Sequence, residues 1–188
     1  MVRVKPITGR STVSDTLEGL RISIPSRKNV FMIAFLSLWL VGWGFGEVMV
    51  SGMLLRPPPG SSAPVVFMIV WLGMWTMGGA FCIYAVLWSL FGREVITLRG
   101  DVLSIRREVL AFGRTREYDL SQVRNLRVSP VPYNPFDFRA GLHFWGIGGG
   151  IVAFDYGAGT VRFGAGVQEG EASDLVKRLS DRHPLGRM

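Results

Sequence analysis

Few side chains in this chain have the types and spacing that catalysis requires. His143 could combine with Asp137 or Asp155 in general acid–base chemistry, but no serine or cysteine nucleophile stands in a recognisable motif. A histidine without such neighbours is more often a surface or strand residue. The sequence therefore predicts no catalytic residue and no enzymatic activity.

Metal and cofactor ligands are equally scarce. The chain contains one cysteine, Cys82, and two histidines, His143 and His183, too few for a disulfide framework, a thiolate zinc cluster or a histidine metal set. The glycine run at 146–150 lacks the Lys-Ser/Thr pair and the helix that a phosphate-binding loop needs. We therefore expect neither a metal nor a cofactor.

The elements that carry the remaining side chains include two long apolar segments. Of the 188 residues, 48% are hydrophobic and only 19% are charged. Residues 30–46 contain no ionisable side chain, the apolar character continues past Glu47 to Leu55, and residues 63–90 carry no charge. About 20 such residues cross a bilayer core about 30 Å thick. Because the intervening residues 56–62 include consecutive prolines, which end helices, the sequence predicts a transmembrane helical hairpin over 30–91.

The distribution of basic residues predicts the orientation of this hairpin. Positive charges flank membrane spans on the cytoplasmic side. They are frequent before the first span and after the second, whereas the connecting loop carries only Arg56. We expect a multi-pass protein of the bacterial inner membrane with both termini in the cytoplasm. The net charge of +7 is then explained without a nucleic-acid partner.

Small and aromatic residues predict contact surfaces on the two spans. Glycines at helix-packing distance let helices approach closely, and tryptophans four residues apart share one helix face. The tryptophan pairs could pack across the hairpin, or face lipid, a quinone-like tail, a carotenoid or a neighbouring subunit. The predicted packing glycines are Gly42, Gly46, Gly73, Gly78 and Gly79, and the predicted aromatic face is Trp39, Trp43, Trp71 and Trp75.

Glu47 is the one carboxylate in the apolar segments. The spans contain no histidine, lysine, arginine or aspartate, so they offer none of the usual protein ligands of haem, bacteriochlorophyll or retinal. A glutamate near the outer end of a span can reach interfacial water. A transporter or an enzyme that depends on Glu47 or His143 is therefore the third hypothesis, behind two binding functions.

After Gly92 the apolar pattern changes from continuous to alternating, which is typical of strands. Strands are predicted at 95–99 and 102–106 around a Gly100–Asp101 turn, at 115–118 after a turn at 111–113, at 123–128, and at 151–156 and 160–163 around 157–159. Residues 129–135 are rich in proline and are predicted to form a loop. The apolar stripe from Glu169 to Arg182 predicts an amphipathic helix that ends before Pro184.

Several antiparallel strands followed by one amphipathic helix resemble the pleckstrin-homology-like barrel of bacterial membrane proteins. The resemblance covers residues 93–183, and the stretches EVITLRGDVLSIRRE, REYDLSQVRNLRV and FDYGAGTVRFG are similar to those of small two-span bacterial proteins of unassigned function. It implies a domain that binds lipids or proteins. The expected fold is an α+β membrane protein: a transmembrane hairpin plus a small antiparallel β-barrel or sandwich closed by the C-terminal helix.

Three segments follow from these patterns. Residues 1–29 are expected to form a cytoplasmic arm, extended over 1–19 and with an edge strand at 21–25; residues 30–91 form the hairpin, and residues 92–188 form the cytoplasmic domain. The leading hypothesis is a non-enzymatic scaffold or accessory subunit of a larger membrane complex, for which a photosynthetic or respiratory complex is a permissible host. Its partners would be membrane lipid and other membrane subunits in a hetero-oligomer.

The alternative hypothesis is a module that binds anionic lipid. Basic side chains close to the membrane attract anionic head groups. Those near the ends of the spans are also the residues that predict the orientation, so either role explains their presence. The predicted head-group contacts are Arg27, Lys28, Arg93, Arg106 and Arg107.

Overall fold

The computed structural model describes residues 4–6, 9–16, 19–57, 64–130 and 149–182. The chain divides into two compact units. The helical unit comprises Lys28–Ser89, and the β unit combines Met1–Arg27 with Leu90–Met188. The predicted α+β composition, with two long apolar helices and antiparallel sheets, is confirmed.

The helical unit consists of α1 (Val30–Leu55) and α2 (Val65–Phe91). The side chain of Asn29 caps α1, since its Oδ1 accepts a hydrogen bond from the Met32 amide at 3.2 Å. Both helices are long and apolar enough to cross a membrane, and few of their residues are buried in the protein. Helices apolar around their whole circumference need a lipid or protein environment on their outer faces.

The β unit contains two antiparallel sheets and one helix. The first sheet has six strands in chain order, and the second has three. A 3-10 turn at Leu120–Gln122 connects the sheets. The strands are β1 (Val4–Pro6), β2 (Thr12–Thr16), β3 (Gly19–Pro25), β4 (Gly92–Arg99), β5 (Val102–Val109), β6 (Phe112–Asp119), β7 (Val123–Val128), β8 (Val152–Tyr156) and β9 (Gly159–Phe163), followed by helix α3 (Glu169–Arg182).

One hydrophobic core joins both sheets to α3. Alternate residues of β3, β4 and β5 point into it, as do Phe154 and Phe163 of the second sheet and Leu175 and Leu179 of α3. Each fully buried side chain of this size contributes about 1.5–3 kcal/mol relative to an exposed one. The helix predicted at 169–182 therefore closes the core as expected.

Of the two predicted arrangements, a barrel or a sandwich, the barrel is wrong. Among the described residues, the strands form two separate sheets, and β6 pairs with β5 on one side only. The physical reason lies in β6, where Tyr118 is the one buried residue and Arg114 and Arg116 are exposed. Charged side chains on an exposed edge strand oppose further strand pairing, so the sheet ends there.

The N-terminal segment also differs from the prediction. The strand expected at the edge is β3, which pairs with both β2 and β4, and β1 and β2 extend the sheet beyond it. In β2, Val13 is buried, whereas Thr12 and Asp15 are exposed, so the strand lacks a clear apolar alternation. Tertiary contacts hold it instead: the buried Ser11 amide donates to Glu171 Oε1 at 2.7 Å.

This contact predicts the effect of a substitution in α3. Glu171→Ala removes the charged acceptor of a buried amide, a bond that typically contributes about 1.5–3 kcal/mol. We expect amide protection in β2 to fall roughly tenfold or more, measured by hydrogen exchange of the full chain. Glu169→Ala, at an exposed position in the same helical turn, is the matched control. Equal protection in the two variants would contradict the role of Glu171.

Of the two turns in the β4–β5–β6 meander, the first was predicted correctly and the second was not. Gly100–Asp101 forms the predicted turn, and Gly100 has a positive φ of 53°. The second turn is Leu110–Ala111, with φ values of 49° and 73°, and not 111–113. Gly113 lies within β6 opposite Glu108, and an added Cβ would overlap the neighbouring strand. This glycine therefore reflects a close approach of strands.

Candidate functional site

An aromatic cluster occupies the contact between α1 and α2. Trp39 lies 5.9 Å from Trp75 between ring centroids, and Trp71 stacks on Trp75 at 4.9 Å. Trp43 Nε1 donates a hydrogen bond to the Trp75 carbonyl oxygen at 3.0 Å. Side chains from both tryptophan pairs therefore meet inside the helical unit.

The five glycines of the predicted packing set divide into two groups. An added Cβ at Gly79 would overlap the indole of Trp43, and one at Gly46 would lie 3.6 Å from Trp75. Gly42, Gly73 and Gly78 have nothing within 4 Å of an added Cβ. Gly79 therefore makes room for Trp43, a Cβ at Gly46 would only touch Trp75 at van der Waals distance, and the second group leaves open surface on the helices.

Glu47 lies beside this cluster and is incompletely satisfied. The Thr76 hydroxyl donates to Glu47 Oε1 at 2.7 Å, and it also approaches the Leu72 carbonyl oxygen at 2.8 Å. Within the described part of the chain, Glu47 Oε2 and Trp75 Nε1 are buried and lack a hydrogen-bond partner. Such groups cost free energy in apolar surroundings unless another molecule satisfies them.

In the β unit, two buried glutamates organise three of the predicted head-group arginines. Glu94 and Glu108 have only 3% and 6% of their surface exposed. Strand pairing places Arg93 directly opposite Glu108 and Glu94 directly opposite Arg107. Arg107 Nε donates to Glu94 Oε1 at 2.9 Å, and Glu94 Oε2 accepts from the Gly164 amide at 2.6 Å. These contacts join β4 and β5 to the end of β9.

Glu108 bridges two arginines on the opposite face of the sheet. It pairs with Arg93 and, through Oε2, with Arg106 Nε at 2.6 Å. Arg106 also donates to the Ala111 carbonyl oxygen in the adjacent turn at 3.0 Å. Burial by itself would raise the pKa of Glu108, but the hydrogen bonds and positive charges of Arg93 and Arg106 lower it. Glu108 therefore stays ionised at neutral pH and fixes both arginines.

The predicted head-group cluster consequently contains two kinds of residue. Arg27 and Lys28 are exposed. Arg93, Arg106 and Arg107 each direct one side of the guanidinium to a buried carboxylate, while between 37% and 52% of each side chain remains exposed. These three arginines therefore have a structural role that the sequence argument did not assign to them.

The glutamates were missed although the sequence carries a signal for them. In a two-residue hairpin, residues equidistant from the turn are paired. The predicted Gly100–Asp101 turn thus pairs Arg93 with Glu108 and Glu94 with Arg107, as the structure shows. Opposite charges at two successive cross-strand pairs indicate an ion-pair ladder.

Of the other residues considered for catalysis or ligand binding, the structure describes only some. His143, Asp137, His183 and residues 146–148 of the glycine run lie outside the described residues. Asp155 accepts hydrogen bonds from Thr160, Asn125 and Arg127, which lower its pKa. The bonds from Asn125 and Arg127 of β7 also hold the irregular β7–β8 pairing. No group of three or more metal-ligating side chains occurs in the described ranges.

These features define an α+β protein with two candidate membrane-spanning helices and a two-sheet β unit. No protein-family model matches the chain, and neither the curated proteins nor the solved structures compared with it give a match.

Proposed function

We propose that this chain is a non-enzymatic integral protein of the bacterial inner membrane that serves as a scaffold or accessory subunit of a larger membrane complex. The observation that carries the proposal is that some residues of α1 and α2 form contacts within the hairpin, whereas others face outward and have no neighbour in the described part of the chain. The hairpin packs on itself through Trp43, Trp75, Gly46 and Gly79, while Gly73 and a continuous apolar surface face outward. That outer surface is available to lipid and to helices of other subunits.

The strand pairing supports a membrane hairpin with both flanks on one side. β3 precedes α1, β4 follows α2, and the two strands are neighbours in one sheet. The Ser26 amide also donates to the Gly92 carbonyl oxygen at 2.9 Å. A chain that crosses the bilayer twice returns to its starting side, as this pairing requires. The basic flanks support the cytoplasm as that side.

The unsatisfied groups of the hairpin support a partner helix. In hydrocarbon no water reaches a buried carboxylate oxygen or indole N–H, so these atoms need donors or acceptors from protein. Because Glu47 Oε2 has almost no exposed surface in the single chain, its side chain would turn outward to meet a polar group of another subunit, and that contact would remove this cost. The β unit adds a second contact surface, because two sheets and a terminal helix around one core support the proposed pleckstrin-homology-like binding module.

The proposal predicts stable association with other membrane subunits. We expect extraction in a mild detergent followed by native mass spectrometry to recover the chain with co-migrating subunits in fixed stoichiometry. A partner found this way would name the host complex. Recovery of a lone monomer under conditions that preserve other complexes of the same membrane would contradict the accessory role.

A substitution on the open helix surface sharpens this test. Gly73→Leu adds bulk where the hairpin has no neighbour within 4 Å, so it should leave the hairpin intact and hinder a partner helix. We expect recovery of partner subunits to fall at least fivefold in the native mass measurement. Met74→Leu, at an exposed position of α2, is the matched control. Equal recovery of partners in both variants would exclude Gly73 from the interface.

A further inference from the structure

The tip of the β5–β6 hairpin exposes large apolar side chains outside the helices. Phe112 is 86% exposed and Leu110 is 55% exposed. At the opposite end of β5, Val102 is 40% exposed. A phenylalanine so open to solvent on a domain with a well-filled core is unusual, because exposing it gains nothing for folding.

The conformation of the tip points to a role beyond turn formation. Leu110 and Ala111 both have positive φ, a conformation in which hairpin turns favour asparagine and glycine. Leucine is costly there. The turn is held by the bond from Arg106 to the Ala111 carbonyl oxygen. A turn that is strained and also exposes apolar side chains indicates a surface that binds a membrane or another molecule.

Strand register places this tip at a defined end of the sheet. Phe112 pairs with Val109, and Val109 pairs with Gly92. Gly92 directly follows Phe91, the last residue of α2. The tip is therefore level with the residue at which the chain enters the sheet from the second apolar helix. The Gly100–Asp101 turn lies at the other end of the same strands, roughly 25 Å away at about 3.3 Å per residue.

The charges around the tip are positive. Arg114 is exposed on β6 and pairs in register with Arg107, and Arg93 lies beside Gly92. The nearest carboxylates on these strands, Glu94 and Glu108, are buried and already paired with arginines. An apolar tip with a basic margin matches the interface of an anionic bilayer, where apolar side chains enter the acyl boundary and cations meet head groups.

We propose that the Leu110–Phe112 tip inserts into the interface of an anionic lipid bilayer and holds the β unit against the membrane. This inference rests on the proposed function in one respect, namely that α2 spans the bilayer and ends near its surface at Phe91. The lipid contact then consists of the apolar tip together with the neighbouring Arg93 and Arg114. The head-group contacts predicted from the sequence consisted of basic residues alone.

The test uses the full chain with Cys82→Ser, which removes its single cysteine. An environment-sensitive fluorophore is attached to Ala111→Cys, which retains Leu110 and Phe112, and the control carries it at Asp101→Cys in the opposite turn. Both proteins are reconstituted into phosphatidylcholine vesicles with and without phosphatidylglycerol, containing a quencher at the head group or upper acyl chain. We expect at least twofold stronger quenching at position 111 than at 101, and stronger quenching with phosphatidylglycerol.

Further arms separate the possible failures. Adding Phe112→Ser should reduce quenching at position 111 at least twofold, since the anchoring ring is lost. Equal quenching at 111 and 101 in protein that resists alkaline extraction would overturn the tip inference and leave membrane anchorage standing. Release of the protein by alkali would instead overturn the membrane hairpin itself. Quenching that is independent of phosphatidylglycerol would overturn the preference for anionic lipid.

Discussion

Replacing Gly79 with alanine is expected to disrupt the helical hairpin. The added methyl group would occupy the space of the Trp43 indole, which therefore has to move and give up its hydrogen bond to the Trp75 carbonyl oxygen. Overpacking of this kind costs about 1–3 kcal/mol, and the lost hydrogen bond adds about 1 kcal/mol. The substitution should thus destabilise the helix pair even though alanine favours helices over glycine.

The neighbouring glycine provides the control for this prediction. Gly78→Ala adds the same methyl group where no atom lies within 4 Å. Both variants can be unfolded in mixed micelles with increasing dodecyl sulfate while tryptophan fluorescence is recorded. We expect the Gly79 variant to unfold at a clearly lower detergent fraction and the Gly78 variant to match the unsubstituted protein. Identical midpoints would show that Trp43 does not depend on Gly79.

The second large effect is expected for Glu108→Gln. This change removes the charge that two arginines share and retains the size of the side chain. Hydrogen bonds to charged groups contribute about 1.5–3 kcal/mol, and the partial exposure of both arginines favours the lower end. We therefore expect the β4–β5 ladder to lose about 2 kcal/mol of local stability at neutral pH, which corresponds to roughly a thirtyfold loss of amide protection.

The pH dependence of this effect has a definite sign. Because the folded protein lowers the pKa of Glu108, the ionised glutamate stabilises the fold at pH values above its unfolded pKa. That contribution is lost as the pH falls through the lowered folded pKa. The difference between the unsubstituted protein and the variant should therefore be full at pH 7 and shrink toward zero in acid.

Hydrogen exchange of β4 and β5, corrected for the intrinsic rate at each pH, measures this difference. Glu117→Gln on β6 is the control, since Glu117 lies exposed on the adjacent strand. A difference that stays constant from pH 7 into acid would show that the charge of Glu108 is not the source of the effect.

Local patterns predicted the helices and most of the later hairpins well. α1 and α2 follow from long apolar runs in which Glu47 is the single charged residue, and α3 has the predicted bounds of Glu169–Arg182 because its apolar stripe and flanking charges are local. The Gly100–Asp101 turn likewise follows from one glycine with positive φ. Such features need no knowledge of distant parts of the chain.

The features that were missed depend on contacts between distant residues. β2 is held by Glu171, which follows it by more than 150 residues, and its own sequence has little alternation. The charges of β6 oppose further pairing on its outer side, but that β7 joins β8 in a separate sheet depends on strands further along the chain. In the second turn, Gly113 suggested a turn position, whereas the cause of that glycine is its cross-strand neighbour Glu108.

The candidate site was predictable to a similar extent. The spacing of the tryptophans predicts that each pair shares one helix face. Only the orientation of α1 against α2 in the structure shows that Gly79 packs against Trp43 while Gly78 faces open space. The positions of the basic residues were read from charge counts. Their partners, Glu94 and Glu108, follow only from the strand register. The position of the Gly100–Asp101 turn predicts this register, whereas the number of basic residues does not.

The insertion of the helical hairpin between β3 and β4 has a consequence for biosynthesis. β1 to β3 leave the ribosome first, yet β3 can acquire its partner β4 only after both apolar helices have been made and placed. If the helices span a membrane as proposed, completion of the six-stranded sheet is thereby coupled to their delivery by the insertion machinery. A chain whose helices stall would display unpaired β3 backbone, a signal that proteases and chaperones recognise.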